Sequence, residues 1–190
     1  SVLNDLCTTS LVFLLVFYLT KKEILTNNDV LQYLDLVALA TICDLVPLND
    51  INRSFVKQGL KILNSESKNK GLTTLINEAK IKQEISEYHL GYVLGPRINA
   101  GGRMGESYLS FNLLSSPNIH IAAQYSSVIN GKNQERQKIQ TSIINTINSG
   151  VDDNQNLINF FYDPTWHIGV LGIIAGRLMR ANKRPSFVMT

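Results

Sequence analysis

Histidine is scarce in this 190-residue sequence: His89, His120 and His167 are the three, and no two are adjacent. Cysteine is limited to Cys7 and Cys43, so no Cys/His spacing of a zinc site is present and no disulfide framework is implied. Both thiols read as small core residues in a reducing compartment, which predicts a cytoplasmic protein. Long apolar runs are missing as well. The most apolar one, Leu11 to Leu19, is nine residues long and meets Lys21 and Lys22. That is far below the about 20 residues needed to cross a bilayer, and no membrane partner is expected. The run reads instead as a buried helix or strand. Ser1 to Ser10 carries no positive residue, unlike the start of a signal peptide.

What is present is enough for a globular core, with 44% apolar residues. The net charge of +3 hides an imbalance. Residues 1–96 hold 9 Lys/Arg against 10 Asp/Glu, whereas residues 97–190 hold 9 against 5. A basic second part suits a surface that meets phosphates, and equally an ordinary solvated face.

Periodicity predicts mostly helix. Leu34, Val37, Ala38 and Thr41 recur at three and four, and Pro47 ends that helix, leaving Asp44 at its end or in the turn beyond. Asn52 is expected to cap a second helix with Phe55, Val56, Leu60 and Leu63 on its apolar face. Gly71 precedes a third, Leu72 to Ala79, and Ser86 caps a fourth running to about Leu94. Ser107 to Leu114 reads as helix. A long helix is expected from Ile119 to about Ile147, with Gly131 as its weak point and Gly150 as its stop. Leu157 to Tyr162, Ile168 to Arg180 and Ser186 to Met189 then read as strand, helix and strand, a βαβ unit on a parallel sheet. A two-stranded parallel sheet cannot cover both of its faces, so more chain is expected; with Thr190 at the end of the second strand and no start signal in the first ten residues, both termini are expected to be cuts.

Three segments carry chemistry. In Asp35-Leu-Val-Ala-Leu-Ala-Thr-Ile-Cys-Asp44 a carboxylate leaves an apolar environment; it must be paired, hydrogen-bonded or metal-bound to stay ionised. Capping the turn before Pro47 is the plainer alternative, and Asp35 is a first-turn residue favoured by the helix dipole. In Gly95-Pro-Arg-Ile-Asn-Ala-Gly-Gly-Arg103, two arginines flank Asn99 and a glycine pair. Read as a loop, this is an anion cradle in which Gly101 and Gly102 let a ligand approach; the alternative pairs the arginines with acids such as Glu106. Trp166-His-Ile-Gly-Val-Leu-Gly-Ile-Ile-Ala-Gly-Arg177 follows a strand and opens a helix, whose first amides can receive a phosphate. Gly169 and Gly172 have the wrong spacing for a dinucleotide fingerprint. His167 is either a phosphate partner or a packing residue, and Arg177 reaches either phosphate or solvent.

The order of these motifs, joined by a long helix with Asn130, Asn133, Arg136 and Gln137, resembles the RecJ branch of the DHH phosphoesterase family. The resemblance covers nearly the whole chain. It implies an α/β fold class: the mostly helical C-terminal part of a DHH catalytic domain (residues 1–115), a connector helix (116–150) and the beginning of a DHHA1 βαβ domain (151–190). It further implies a metal-dependent exonuclease that degrades single-stranded DNA from a 5′ end, in DNA repair and recombination, beside other repair proteins. Asp44 would be a catalytic ligand of an Mn²⁺ or Mg²⁺ pair. Arg97, Asn99, Arg103, His167, Gly169 and Arg177 would face the DNA phosphates. Two departures stand out: Cys7-Thr-Thr-Ser10 lies where the family carries a glycine-bearing stretch, and Gly176 stands where it carries serine. The Asp-His-His motif itself is absent from this sequence, so the chain alone is expected to be inactive. The rival readings are a non-catalytic single-strand-binding remnant and a phosphodiesterase of small oligonucleotides.

Overall fold

The computed structural model describes residues 5–26, 29–65, 69–150 and 157–190. Residues 1–4 and 151–156, the expected beginnings of the first and third units, lie outside them. The chain opens with helix α1 (Thr8–Lys21), a 3₁₀ turn (Val30–Tyr33) and α2 (Leu34–Cys43), followed by α3 (Asp50–Asn64) and α4 (Lys70–Glu78). The apolar run at Leu11 to Leu19 is a helix with only one face inside. Phe13 is buried and meets the Phe55 ring edge-on at 5.5 Å, whereas Leu11, Val12, Leu15 and Tyr18 are exposed. The expectation of a wholly buried run is therefore corrected.

Helices α2 and α3 cross closely because Gly59 leaves no side chain between them: a Cβ there would collide with the Leu34 carbonyl and the Ala38 Cβ. Asn52 does not cap α3. Asn49 occupies that position, and Asn52 is fully buried in the first turn, its Nδ2 donating to the Asp5 carbonyl at 2.8 Å and the Pro47 carbonyl at 2.9 Å. A buried amide that bonds two backbone carbonyls fixes the segments around it, which is more than a cap does. At α4 the cap is Asn69, whose Oδ1 accepts from the Leu72 amide at 2.9 Å, and Gly71 lies inside the first turn, not ahead of it.

After α5 (Gly95–Arg103) and α6 (Tyr108–Leu114) comes helix α7 (Ile119–Gly150), 32 residues long and continuous through Gly131. Its first half joins Leu72, Leu75, Leu90, Leu94 and Leu113 in one core, to which it contributes Ala122 and Ile129. Its second half gives Ile143, Ile144 and Ile147 to a separate core with Val170, Ile174 and Leu178. Those last three belong to α8 (Ile168–Asn182), which crosses between β1 (Asn159–Tyr162) and β2 (Ser186–Met189). The strands are parallel, in register from Asn159 with Ser186 to Tyr162 with Met189, as the βαβ reading predicts. Phe161 and Val188 face the second core; Phe160 and Phe187 stack at 4.9 Å on the other, exposed side. No helix among the described residues is long and apolar enough to cross a membrane.

Two glycine replacements separate packing from propensity. Gly59→Ala overpacks the α2/α3 crossing and should cost about 1–3 kcal/mol. Gly131→Ala meets nothing within 4 Å and should stabilise by about 1 kcal/mol through helix propensity. Urea denaturation of both variants checks the opposite signs.

Candidate nucleic-acid interface

The segment expected to be a loop, residues 95–103, is helix α5. It continues without a break from a π-helical turn (His89–Leu94), so the helix expected to stop near Leu94 runs on to Arg103. Pro96 has no N–H and would leave an α-helical carbonyl one turn back unpaired. The π turn shifts the bonding register just there, with the Gly95 amide donating to the Leu90 carbonyl. The turn is held from behind by His89, whose buried ring accepts from the Ser86 amide at 3.0 Å through Nδ1. Gly101 does not open to a ligand: a Cβ there would lie 2.8 Å from the Glu106 carbonyl, so this glycine serves the chain's own turn.

Being helical, α5 sends its polar residues in two directions. Arg97 turns inward. Its Nη1 donates to the Val93 carbonyl at 2.7 Å and its Nε to Asn130 Oδ1 at 3.1 Å, while Asn130 Nδ2 donates to Glu78 Oε1 at 2.9 Å. Burial lowers the Arg97 pKa from its ordinary value, and the Glu78 charge opposes that shift. Arg97 thus links α5, α7 and α4. Asn99 and Arg103 are exposed and line a cleft of about 210 Å³, together with Cys43, Gly91, Gly95, Pro96, Arg136 and Ile173. Glu106, the acid expected near the arginines, pairs with Lys132 instead. Cys43 walls the cleft half-buried; burial first and the Asp44 charge second push its thiol up to about 11.

The sequence offers Arg136 only as one of several polar residues of the long helix. In the fold it is buried against the cleft, with Nη2 donating to Asn133 Oδ1 at 3.0 Å. A sequence signal for it exists: Ala122, Ser126, Ile129, Asn133 and Arg136 follow one another at four and three and are all buried. Polar residues on the apolar stripe of a helix demand a reason.

The remaining expected residues frame this cleft or stand apart from it. Asp44 follows the last residue of α2, exposed, with its amide donating to the Ala40 carbonyl and no side-chain hydrogen bond or ion pair among the described residues. It is one available carboxylate ligand. No group of three His, Cys, Asp or Glu suited to a metal ion occurs among the described residues, so these residues do not by themselves fit a metal pair. His167 caps α8, its Nδ1 accepting from the Gly169 amide at 3.1 Å. Gly169 packs against Arg103: a Cβ would collide with the Arg103 carbonyl, and Arg103 Nη1 donates to the Gly169 carbonyl at 3.4 Å. The βαβ unit therefore meets α5 at the cleft. Arg177, two turns further, is exposed, with no hydrogen bond or ion pair among the described residues. At the positions of departure, Ser10 is fully buried between Cys7 Sγ at 3.2 Å and Thr41 Oγ1 at 3.4 Å, a small polar contact of α1 with α2. Gly176 leaves room for a side chain, with only Arg180 Nη1 near, at 3.9 Å.

Known proteins resemble this chain in sequence and fold. No family model matches it. The single-stranded-DNA-specific exonuclease RecJ of Escherichia coli K12 is 32% identical over 161 residues, which are 81% of this chain and 28% of that protein. The crystal structure of RecJ from Thermus thermophilus in complex with Mg²⁺ superposes with a TM-score of 0.83 at 30% identity, covering 93% of this chain and 28% of that one. A crystal structure of exonuclease RecJ bound to manganese gives a TM-score of 0.82 at 30% identity, covering 93% of this chain and 44% of that one. The chain spans between a quarter and a half of the length of these proteins.

The α5/α8 contact is testable by itself. Gly169→Ala should push the start of α8 off the Arg103 carbonyl and cost about 1–3 kcal/mol. Hydrogen exchange at the amides of Gly169 and Val170 should accelerate, while amides of the α2/α3 crossing should keep their protection.

Proposed function

From a chain that is RecJ-like in sequence and fold over most of its length, we propose that these residues form the strand-holding side of a single-stranded-DNA exonuclease. The observation that carries this reading is the cleft: Asn99 and Arg103 of α5, Arg136 of α7 and the beginning of α8 converge where two packed units meet. A cationic groove between two units is how proteins track a single-stranded backbone, and guanidiniums fork onto phosphate oxygens. Arg177 on α8 extends the cationic surface, and His167 and Gly169 set the first turn of that helix, whose amides favour an anion. Arg97 serves the site at one remove, by holding α5 against α7.

In the proposed enzyme, residues 1–115 belong to the catalytic unit, 116–150 connect, and 151–190 begin the second unit. The strand would be degraded from its 5′ end in DNA repair. The Mn²⁺ or Mg²⁺ that this reading calls for would find one ligand here, Asp44. What the chain's own residues do is bind and orient: arginines neutralise the phosphate, and Asn99 offers an amide to phosphate or sugar. With one carboxylate at hand, the chain alone binds and does not hydrolyse.

The purified chain should bind a single-stranded oligothymidylate more tightly than the same length of duplex, with affinity falling steeply as salt rises. It should release no mononucleotides with Mn²⁺ present, and Asp44→Ala should leave binding unchanged. Fluorescence anisotropy and a nucleotide-release assay check both. Equal affinity for duplex would refute the single-strand reading, and Mn²⁺-dependent release abolished by Asp44→Ala would refute the inactivity of the chain.

A further inference from the structure

Arg136 is only 9% exposed, and its Nε is buried without a partner among the described residues. The one hydrogen bond the side chain makes there goes to Asn133, a neutral amide on its own helix. It is not a strut between helices. Nor is its charge balanced: no carboxylate among the described residues pairs with it, since Glu106 and Glu135 are both drawn to Lys132. The charge that acts on it is another cation, Arg103, which adds to burial in lowering its pKa. A desolvated guanidinium beside a second one, with an idle N–H, is costly unless an anion completes it. Arg136 and Arg103 line the same cleft, which is open to solvent and large enough for a phosphate group.

We infer that Arg136 is the buried anchor of a phosphate site, with Arg103 closing on the same phosphate from the rim and Asn133 holding the Arg136 fork toward the cleft. The site takes a tetrahedral phosphoryl group with at least two free oxygens to share between the guanidiniums, as a nucleic-acid strand presents. This rests on the strand-holding reading for its ligand, though not for its geometry. Arg136 is then the residue that fixes how deep a phosphate enters, because the buried guanidinium is pinned by Asn133 at 3.0 Å, while Arg103 is exposed and tethered only by its long 3.4 Å bond to the Gly169 carbonyl. Lys would keep the charge and lose the fork, so Arg136→Lys should restore little.

The test uses the whole chain, with Arg136→Met as the main variant. Removing an uncompensated buried cation should leave the melting temperature of the free protein unchanged or raise it by a few degrees. A clear fall would overturn the inference, marking Arg136 as structural. Low-millimolar inorganic phosphate, against chloride at equal ionic strength, should raise the melting temperature of the native chain and not that of Arg136→Met. An equal rise in both would also overturn it. With single-stranded oligothymidylate, Arg136→Met and Arg136→Lys should each weaken binding about tenfold, and Arg136→Met should reduce the salt slope by at most about 0.7, the share of one phosphate on a single strand, since Arg103 stays on the same phosphate. Arg103→Gln combined with Arg136→Met should weaken binding by less than the product of the single effects, because both hold one phosphate. If phosphate stabilises the native chain through Arg136 and no oligothymidylate binds, the site stands and the strand-holding reading fails. If the strand binds native and Arg136→Met alike, that reading stands and the site is refuted.

Discussion

One constraint organises the molecule: the single helix α7 is held at its two ends by different cores. A helix of 32 residues is about 48 Å long, more than one small core can cover. Ala122 and Ile129 sink into the core built by α4, α6 and the segment before α5, and Ile143 to Ile147 sink into the core of the βαβ unit. The helix backbone transmits the geometry of one to the other. Between Ile129 and Ile139, the first residue of α7 to pack against the second core, lies a stretch of about 15 Å, and the cleft opens there.

That middle stretch explains why polar side chains are buried in α7. Asn130 accepts from Arg97 on one side and donates to Glu78 on the other, so α4, α5 and α7 share one hydrogen-bonded link. Asn133 and Arg136, about one and two turns on, have no such partners from other helices among the described residues. The first group is closed and structural; the second is open and faces the cleft. Two neighbouring sets of similar residues thus differ in role because their partners differ, and composition alone cannot tell them apart.

Much of the architecture is legible in periodicity: the run of helices, the long helix through Ile147, and the βαβ unit from Leu157 to Met189. Local signals mislead where packing overrides them. Three glycines and a proline within residues 95–103 argue against helix by propensity, yet Gly95 and Gly101 are required by close contacts with Cys43 Sγ and the Glu106 carbonyl. The proline is accommodated by the π turn ahead of it. Asn52 has the residue type of a cap, but the helix starts earlier and the side chain is needed inside. At the site, the motif order brings Asn99 and Arg103 into one segment, and the fold sets them as neighbours in one cleft. The inward turn of Arg97 follows from helical phase, which a loop reading cannot contain.

The charge arrangement around the cleft follows from the same phase. With 18 basic and 15 acidic residues in the chain, acids are available to neutralise most of the cations. Three of the nearby acids are engaged, Glu106 by Lys132 and Tyr108, Glu135 by Lys132, and Glu78 by Asn130, whereas Asp44 beside Cys43 stays exposed. Lys132 sits one turn before Arg136 on α7 and, by holding Glu106, keeps a carboxylate from reaching toward Arg103 three residues away. The Glu106 carboxyl is accordingly held below its ordinary pKa, chiefly by the Lys132 hydrogen bond. Exposed pairs of this kind contribute little to stability. Their effect here is positional: a lysine neutralises the acid so that two arginines stay uncompensated, and the field in the cleft remains positive for an incoming anion.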